Sequence, residues 1–114
     1  MRTGDFGPLV PKGPAYRWIR AADRVPTYAE LRDEDPMLRV RLFNPQGAGT
    51  WWIAAFDPDP EGGTNSIAYG VAEIQEREIG SFSLDELAHY RGPFGLPIER
   101  DLHFEPCRMS EVAG

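Results

Sequence analysis

At 114 residues, 41% apolar and 11% aromatic, the chain suits one folded domain with a modest core and not a disordered segment. Its single cysteine excludes an internal disulfide and a multi-cysteine zinc site, and no apolar run approaches the roughly 18–20 residues that cross a bilayer. Net charge is −6, which sets the acidic body against nucleic-acid phosphates and argues against direct duplex binding by that body.

The charge is uneven. Residues 1–24 carry five basic side chains against Asp5 and Asp23, so the acidity lies in the remainder. This opening holds Gly4, Gly7, Pro8, Pro11, Gly13 and Pro14, which predicts a partly irregular, basic extension, with Tyr16, Trp18 and Ile19 available to pin it to the body. It does not follow the basic-then-apolar pattern of a secretory signal, and a cytoplasmic location is expected. "PTYAELRDEDP" predicts one or two helical turns, with Thr27 as N-cap, Glu30 at capping-box spacing and Pro36 as the stop.

From Met37 the period changes to two. "LRVRLF" alternates Leu38, Val40 and Leu42 with Arg39 and Arg41, a half-buried strand. "WWIAAF" (51–56) is apolar on both faces and predicts a central strand covered on each side, with Trp51 and Trp52 pointing oppositely. "NSIAYGVAEI" (65–74) is a third strand, in which Gly70 marks a bulge or a close approach. "REIGSFS" (77–83) is a fourth. Ser83 and Glu86 form the capping box of a helix that runs to Gly92-Pro93. A short strand at "RDLHF" and a loose tail from Pro106 complete the chain. The expected class is α+β: an antiparallel meander of four to five strands, one main helix on one face and a short N-terminal helix. The expected organisation is an extension at 1–24, one domain at 25–108 and a tail at 109–114.

Chemical motifs are sparse. Asp57, Asp59, Glu61 and Gly62 stand at positions one, three, five and six of a calcium loop. Position twelve is Ala68 instead of a glutamate, so a hairpin loop is the better reading. "HFEPC" (103–107) imitates a zinc-deaminase fragment but lacks the second cysteine such chemistry needs. If 101–105 is extended, Asp101, His103 and Glu105 share one face and offer a metal-binding row, the basis of an alternative reading as a small metal-dependent enzyme. His89 stands near a helix C-terminus, where a charged imidazole is favoured without any chemistry. The serines lack a nucleophile-elbow context. No cofactor is implied and no catalytic residue emerges.

"FDPDPEGG", "IAYGVAEIQEREIGSFSLDEL" and "RGPFGLPIERDLHFEP" together resemble a family of bacterial domains of unknown function met on plasmids, phages and integrative elements. The likeness covers about residues 25–108 and is most specific in the final block. The resemblance implies a mobile-element accessory protein and brings no catalytic residues with it.

The expected function is therefore non-enzymatic: a protein that binds and modulates another protein. The sharpest version is an acidic inhibitor of a nucleic-acid-handling defence complex, of the anti-CRISPR or antirestriction type. Asp33, Glu34, Asp35, Asp57, Asp59 and Glu61 are expected to meet a basic groove, with Trp52, partly exposed beside Arg39 or Arg41, as an aromatic anchor. A further alternative is a nucleic-acid module working through the basic arm at 1–24. Glu99, Arg100 and Asp101 are expected to be structural, with Arg100 tying the last loop down by charge-assisted hydrogen bonds.

Overall fold

The computed structural model describes residues 18–62 and 65–113. At its centre lies β3 (Thr50–Asp57), in which every residue from Trp51 to Phe56 is buried. Its neighbours are β2 (Val40–Phe43) and β4 (Ile67–Glu73), with β5 (Arg77–Ser83) outside β4 and β6 (Glu99–Arg100) outside β2. All pairings are antiparallel, in the order β5-β4-β3-β2-β6. A second, two-stranded sheet joins β1 (Met37–Leu38) to β7 (Cys107–Arg108). Two helices, α1 (Leu84–His89) and α2 (Met109–Ala113), complete the α+β architecture.

Strand alternation gives the sheet two apolar faces. One face gathers Trp51, Ile53 and Phe56 with Val40, Leu42 and Ala68, and is covered by Leu84 and Ala88 of α1 together with Trp18, Ile19 and Ile98. The other gathers Trp52, Ala54 and Val71 beneath Leu38 and Met109. The two tryptophans thus point oppositely, as the alternation predicts. The pairing shifts register between Ile53 and Ala55. At the same place Gly70, opposite Ile53, lets the strands close in: a Cβ there would stand 1.9 Å from the Trp52 carbonyl oxygen. Only a glycine fits so near a backbone.

Four local expectations need correction. "LRVRLF" is not one strand: it breaks at Arg39, whose amide still donates to the Ile53 carbonyl at 2.8 Å. Leu38 therefore joins the face opposite to Val40 and Leu42. Instead of a helix up to Pro36 there are single 3-10 turns at 21–23 and 28–30. The Thr27 amide does donate to Glu30 Oε1, but Leu31 is already extended and Asp33 Oδ1 accepts the Asp35 amide, a local bond that competes with helix. α1 stops at His89, before Gly92-Pro93, because Tyr90 turns extended (ψ 137°) and Arg91 Nη1 donates to the Ala88 and Tyr90 carbonyls. Nor is the segment after Pro106 loose: it forms β7 and α2, and Met109 is buried.

Candidate interaction surface

The stretch from Tyr90 to Leu102 carries four of the eight large apolar side chains exposed among the described residues: Tyr90, Phe94, Leu96 and Leu102. Phe94 is 82% exposed, an unusual state for a phenyl ring. Its backbone is nonetheless tightly held. The Gly95 amide donates to the Gly92 carbonyl at 2.9 Å, closing a turn over Pro93 and Phe94. Gln46, reaching across from the β2–β3 connection, acts as a substitute strand. Its Oε1 accepts the Phe94 amide at 2.6 Å, and its Nε2 donates to the Leu96 carbonyl at 3.0 Å. Gly92 leaves room for that amide, since a Cβ would lie 2.0 Å from Gln46 Nε2, and Gly95 supplies the left-handed φ of +77°.

Beyond the turn, Arg100 locks the block to the start of the described chain. Its Nη1 donates to Asp23 Oδ2 and to the Trp18 carbonyl, and its Nη2 to Asp23 Oδ1, each at 2.7 Å. The latch partner is thus Asp23, some distance away in sequence, and not the adjacent acids. Burial alone pushes the Asp23 carboxyl up, but the bonds from Arg100 and from the Arg20 amide outweigh it and hold the group below its ordinary 3.8. Asp101 pairs with Arg41 at 2.8 Å and is also lowered, first by the His103 amide bond and then by Arg41. Glu99 is exposed, and its carboxylate is bonded to no described residue.

The metal row does not form. Asp101 Oδ1 accepts the His103 amide and the Phe104 amide reaches back to the Asp101 carbonyl, so the chain turns where an extended strand was expected. His103 and Glu105 are exposed on that turn, and no group of three metal-ligating side chains stands together among the described residues.

The acidic residues expected to meet a partner are largely engaged within the fold. Asp33 pairs with Arg108 at 2.9 Å. Asp35 accepts the Ser110 hydroxyl and amide, bonds that hold its carboxyl below the ordinary range. Asp57 accepts the Tyr28 amide, and Asp59 shapes its own loop by accepting from the Glu61 and Asn65 amides. Glu34 and Glu61 are exposed, and their carboxylates are bonded to no described residue. Trp52, expected to be partly exposed, is 6% exposed. It packs below Arg41 and Arg77, whose guanidinium carbons lie 5.8 and 5.4 Å from its ring. The basic arm at 1–24 falls mostly outside the described residues, though Trp18 and Ile19 are core side chains.

The Phe94 turn was not among the features that the sequence pattern singled out. The signal was there: a phenylalanine between a proline and a glycine, in Gly92-Pro93-Phe94-Gly95, has no strand or helix face on which to be buried.

Comparison with known proteins adds little chemistry. No solved structure matches the chain. It is 38% identical over 77 residues to a biflaviolin synthase of Streptomyces coelicolor, a match that takes in 68% of this chain but 18% of that protein. Residues 17–113 match a family model described as a protein of unknown function, DUF2958. That match takes in the arginine latch, the glutamine-held turn and both helices, and the chain belongs to the DUF2958 family.

Proposed function

We propose that the chain is a non-enzymatic accessory protein of a mobile element that binds another protein through the Phe94 turn. The partner we assign is a nucleic-acid-handling host defence complex, of the CRISPR or restriction type. The observation that carries the reading is an 82% exposed phenyl ring on a backbone already fixed by Gln46. A side chain displayed on a preordered loop loses little further entropy on docking, and aromatic anchors of this kind dominate interface energies. The net charge of −6 favours a basic partner surface, such as one that ordinarily holds nucleic acid. Glu34 and Glu61 keep the steering role expected of them, joined by Glu99 and Glu105, all four with exposed carboxylates bonded to no described residue.

The test compares wild type with Phe94→Ala as bait in host lysate, followed by DNA cleavage assays on the complex recovered. Because Phe94 contributes almost nothing to the core, the variant should match wild type in thermal stability. It should bind the partner at least about thirtyfold more weakly, the loss of a roughly 2 kcal/mol anchor. Equal recovery by both baits, or a recovered complex whose cleavage the protein leaves unchanged, refutes the reading.

A further inference from the structure

On the side of the fold away from α1, a groove of about 230 Å³ runs between the 28–36 segment and β1. Leu31, Met37 and Ala54 give it an apolar floor, and Arg32, Arg39 and Arg108 line it as well. Two of these guanidiniums are engaged. Arg32 donates to the Ala29 and Leu31 carbonyls, and Arg108 to Asp33 and the Asp35 carbonyl. Arg39 differs: it is half-buried, its amide is spent on the Ile53 carbonyl, and its guanidinium forms no hydrogen bond or ion pair with a described residue.

None of the Arg39 nitrogens is among the buried unpartnered atoms of the described residues, so its donors open to solvent and to a ligand, and its planar fork matches a carboxylate. The acids lining the same groove, Glu30 and Asp33, limit what it can accept. Three guanidiniums against two carboxylates leave one positive charge, which suits a monoanion and opposes a dianion such as phosphate. The volume lies just below the range for drug-sized ligands, and holds about one side chain with its terminal group. We propose that this groove binds a monocarboxylate with an apolar body, in the form of a peptide C-terminus whose last residue is apolar. Arg39 grips the carboxylate, and Leu31, Met37 and Ala54 receive the side chain. The site is separate from the Phe94 turn, and its failure would leave the reading of that turn untouched.

The experiment is a titration of the full chain, followed by amide NMR shifts, with three probes: N-acetyl-leucine, its uncharged N-acetyl-leucinamide, and inorganic phosphate. N-acetyl-leucine should move the amides of Leu31, Met37, Arg39 and Ala54, while the other two leave them in place. Arg39→Gln should weaken N-acetyl-leucine by roughly tenfold or more. The wild-type shift map stands as evidence even if that variant folds poorly. No shift with N-acetyl-leucine, equal shifts with the amide or phosphate, shifts confined to another region, or undiminished binding by a folded Arg39→Gln each overturn the proposal.

Discussion

Replacing Arg100 by alanine tests whether the Pro/Gly-rich block is held mainly from the far end of the chain. The guanidinium makes three bonds of 2.7 Å, two to Asp23 and one to the Trp18 carbonyl, and the paired side chains are only 17% and 13% exposed. Charge-assisted bonds contribute about 1.5–3 kcal/mol each, and breaking one side of a buried pair costs about 3–5 kcal/mol. Two facts moderate this: Asp23 keeps the Arg20 amide, and Arg100 Nε is buried without a partner already. A loss of about 3 kcal/mol follows, or roughly 12 °C of melting temperature at about 4 °C per kcal/mol for a chain of this length. Arg100→Lys should restore only part, since an ammonium cannot hold both Asp23 oxygens and the carbonyl in one plane. The pH dependence has a definite sign. Asp23 has a lowered folded pKa, so its contribution is complete above the unfolded value and is lost as pH falls through the folded one. The gap between wild type and Arg100→Ala should therefore be widest near neutrality and narrow below about pH 4. Urea unfolding across that range measures it. An Arg100→Ala midpoint equal to wild type at pH 7, or a gap that widens in acid, refutes the latch.

Other consequences are more local. Gly70→Ala forces a Cβ onto the Trp52 carbonyl, where no flexible side chain can yield; it should cost roughly 3 kcal/mol or more, read by urea denaturation. Met109→Ala should cost roughly 2–5 kcal/mol, because Met109 is 5% exposed in the second core cluster; stability within about 0.5 kcal/mol of wild type would return the C-terminal helix to the status of a loose tail. Asp35 and Asp101 are lowered like Asp23, so acid should unfold the wild type progressively as pH drops below about 4, a transition followed by tryptophan fluorescence.

The sheet was the most legible part of the sequence because its signals are periodic and local. "REIGSFS" fills β5 from Arg77 to Ser83, and Ser83 caps α1 by accepting the Glu86 amide at 3.1 Å. The doubly apolar "WWIAAF" announces a strand with two covered faces, and Gly70 a close approach. What stayed hidden depends on contacts distant in sequence. Nothing local in "LRVRLF" shows that Leu38 pairs with Cys107 and so leaves the face of Val40. Trp52 looked partly exposed beside its arginines because the helix that covers its face, α2, lies near the far end of the chain. Arg100 is half-buried and held by Asp23 and the Trp18 carbonyl, and alternation offered no way to choose Asp23 over its neighbours. The metal row fails on two bonds, from the His103 amide to Asp101 Oδ1 and from the Phe104 amide to the Asp101 carbonyl, which turn the chain where an extended face was assumed.

The acidity of the chain has two separate uses, divided by side-chain length. All seven described aspartates accept at least one backbone amide hydrogen: Arg20 on Asp23, Asp35 on Asp33, Ser110 on Asp35, Tyr28 on Asp57, Glu61 and Asn65 on Asp59, Ser66 on Asp85, and His103 on Asp101. A short carboxylate reaches nearby amides with few rotamers to freeze, so it is suited to closing turns in a chain with eleven prolines. Glutamate pays more side-chain entropy for the same bond. Only Glu30 and Glu111 of the ten described accept a backbone amide; Glu73 pairs with the Arg77 guanidinium instead, and the other seven are exposed. The aspartates are thus largely committed to the fold, and the carboxylates left free at the surface are chiefly glutamates. Neutralising Asp59 and neutralising Glu61, two residues apart in one loop, are therefore different experiments. The first loosens the hairpin, and the second removes a charge from a surface that stays in place.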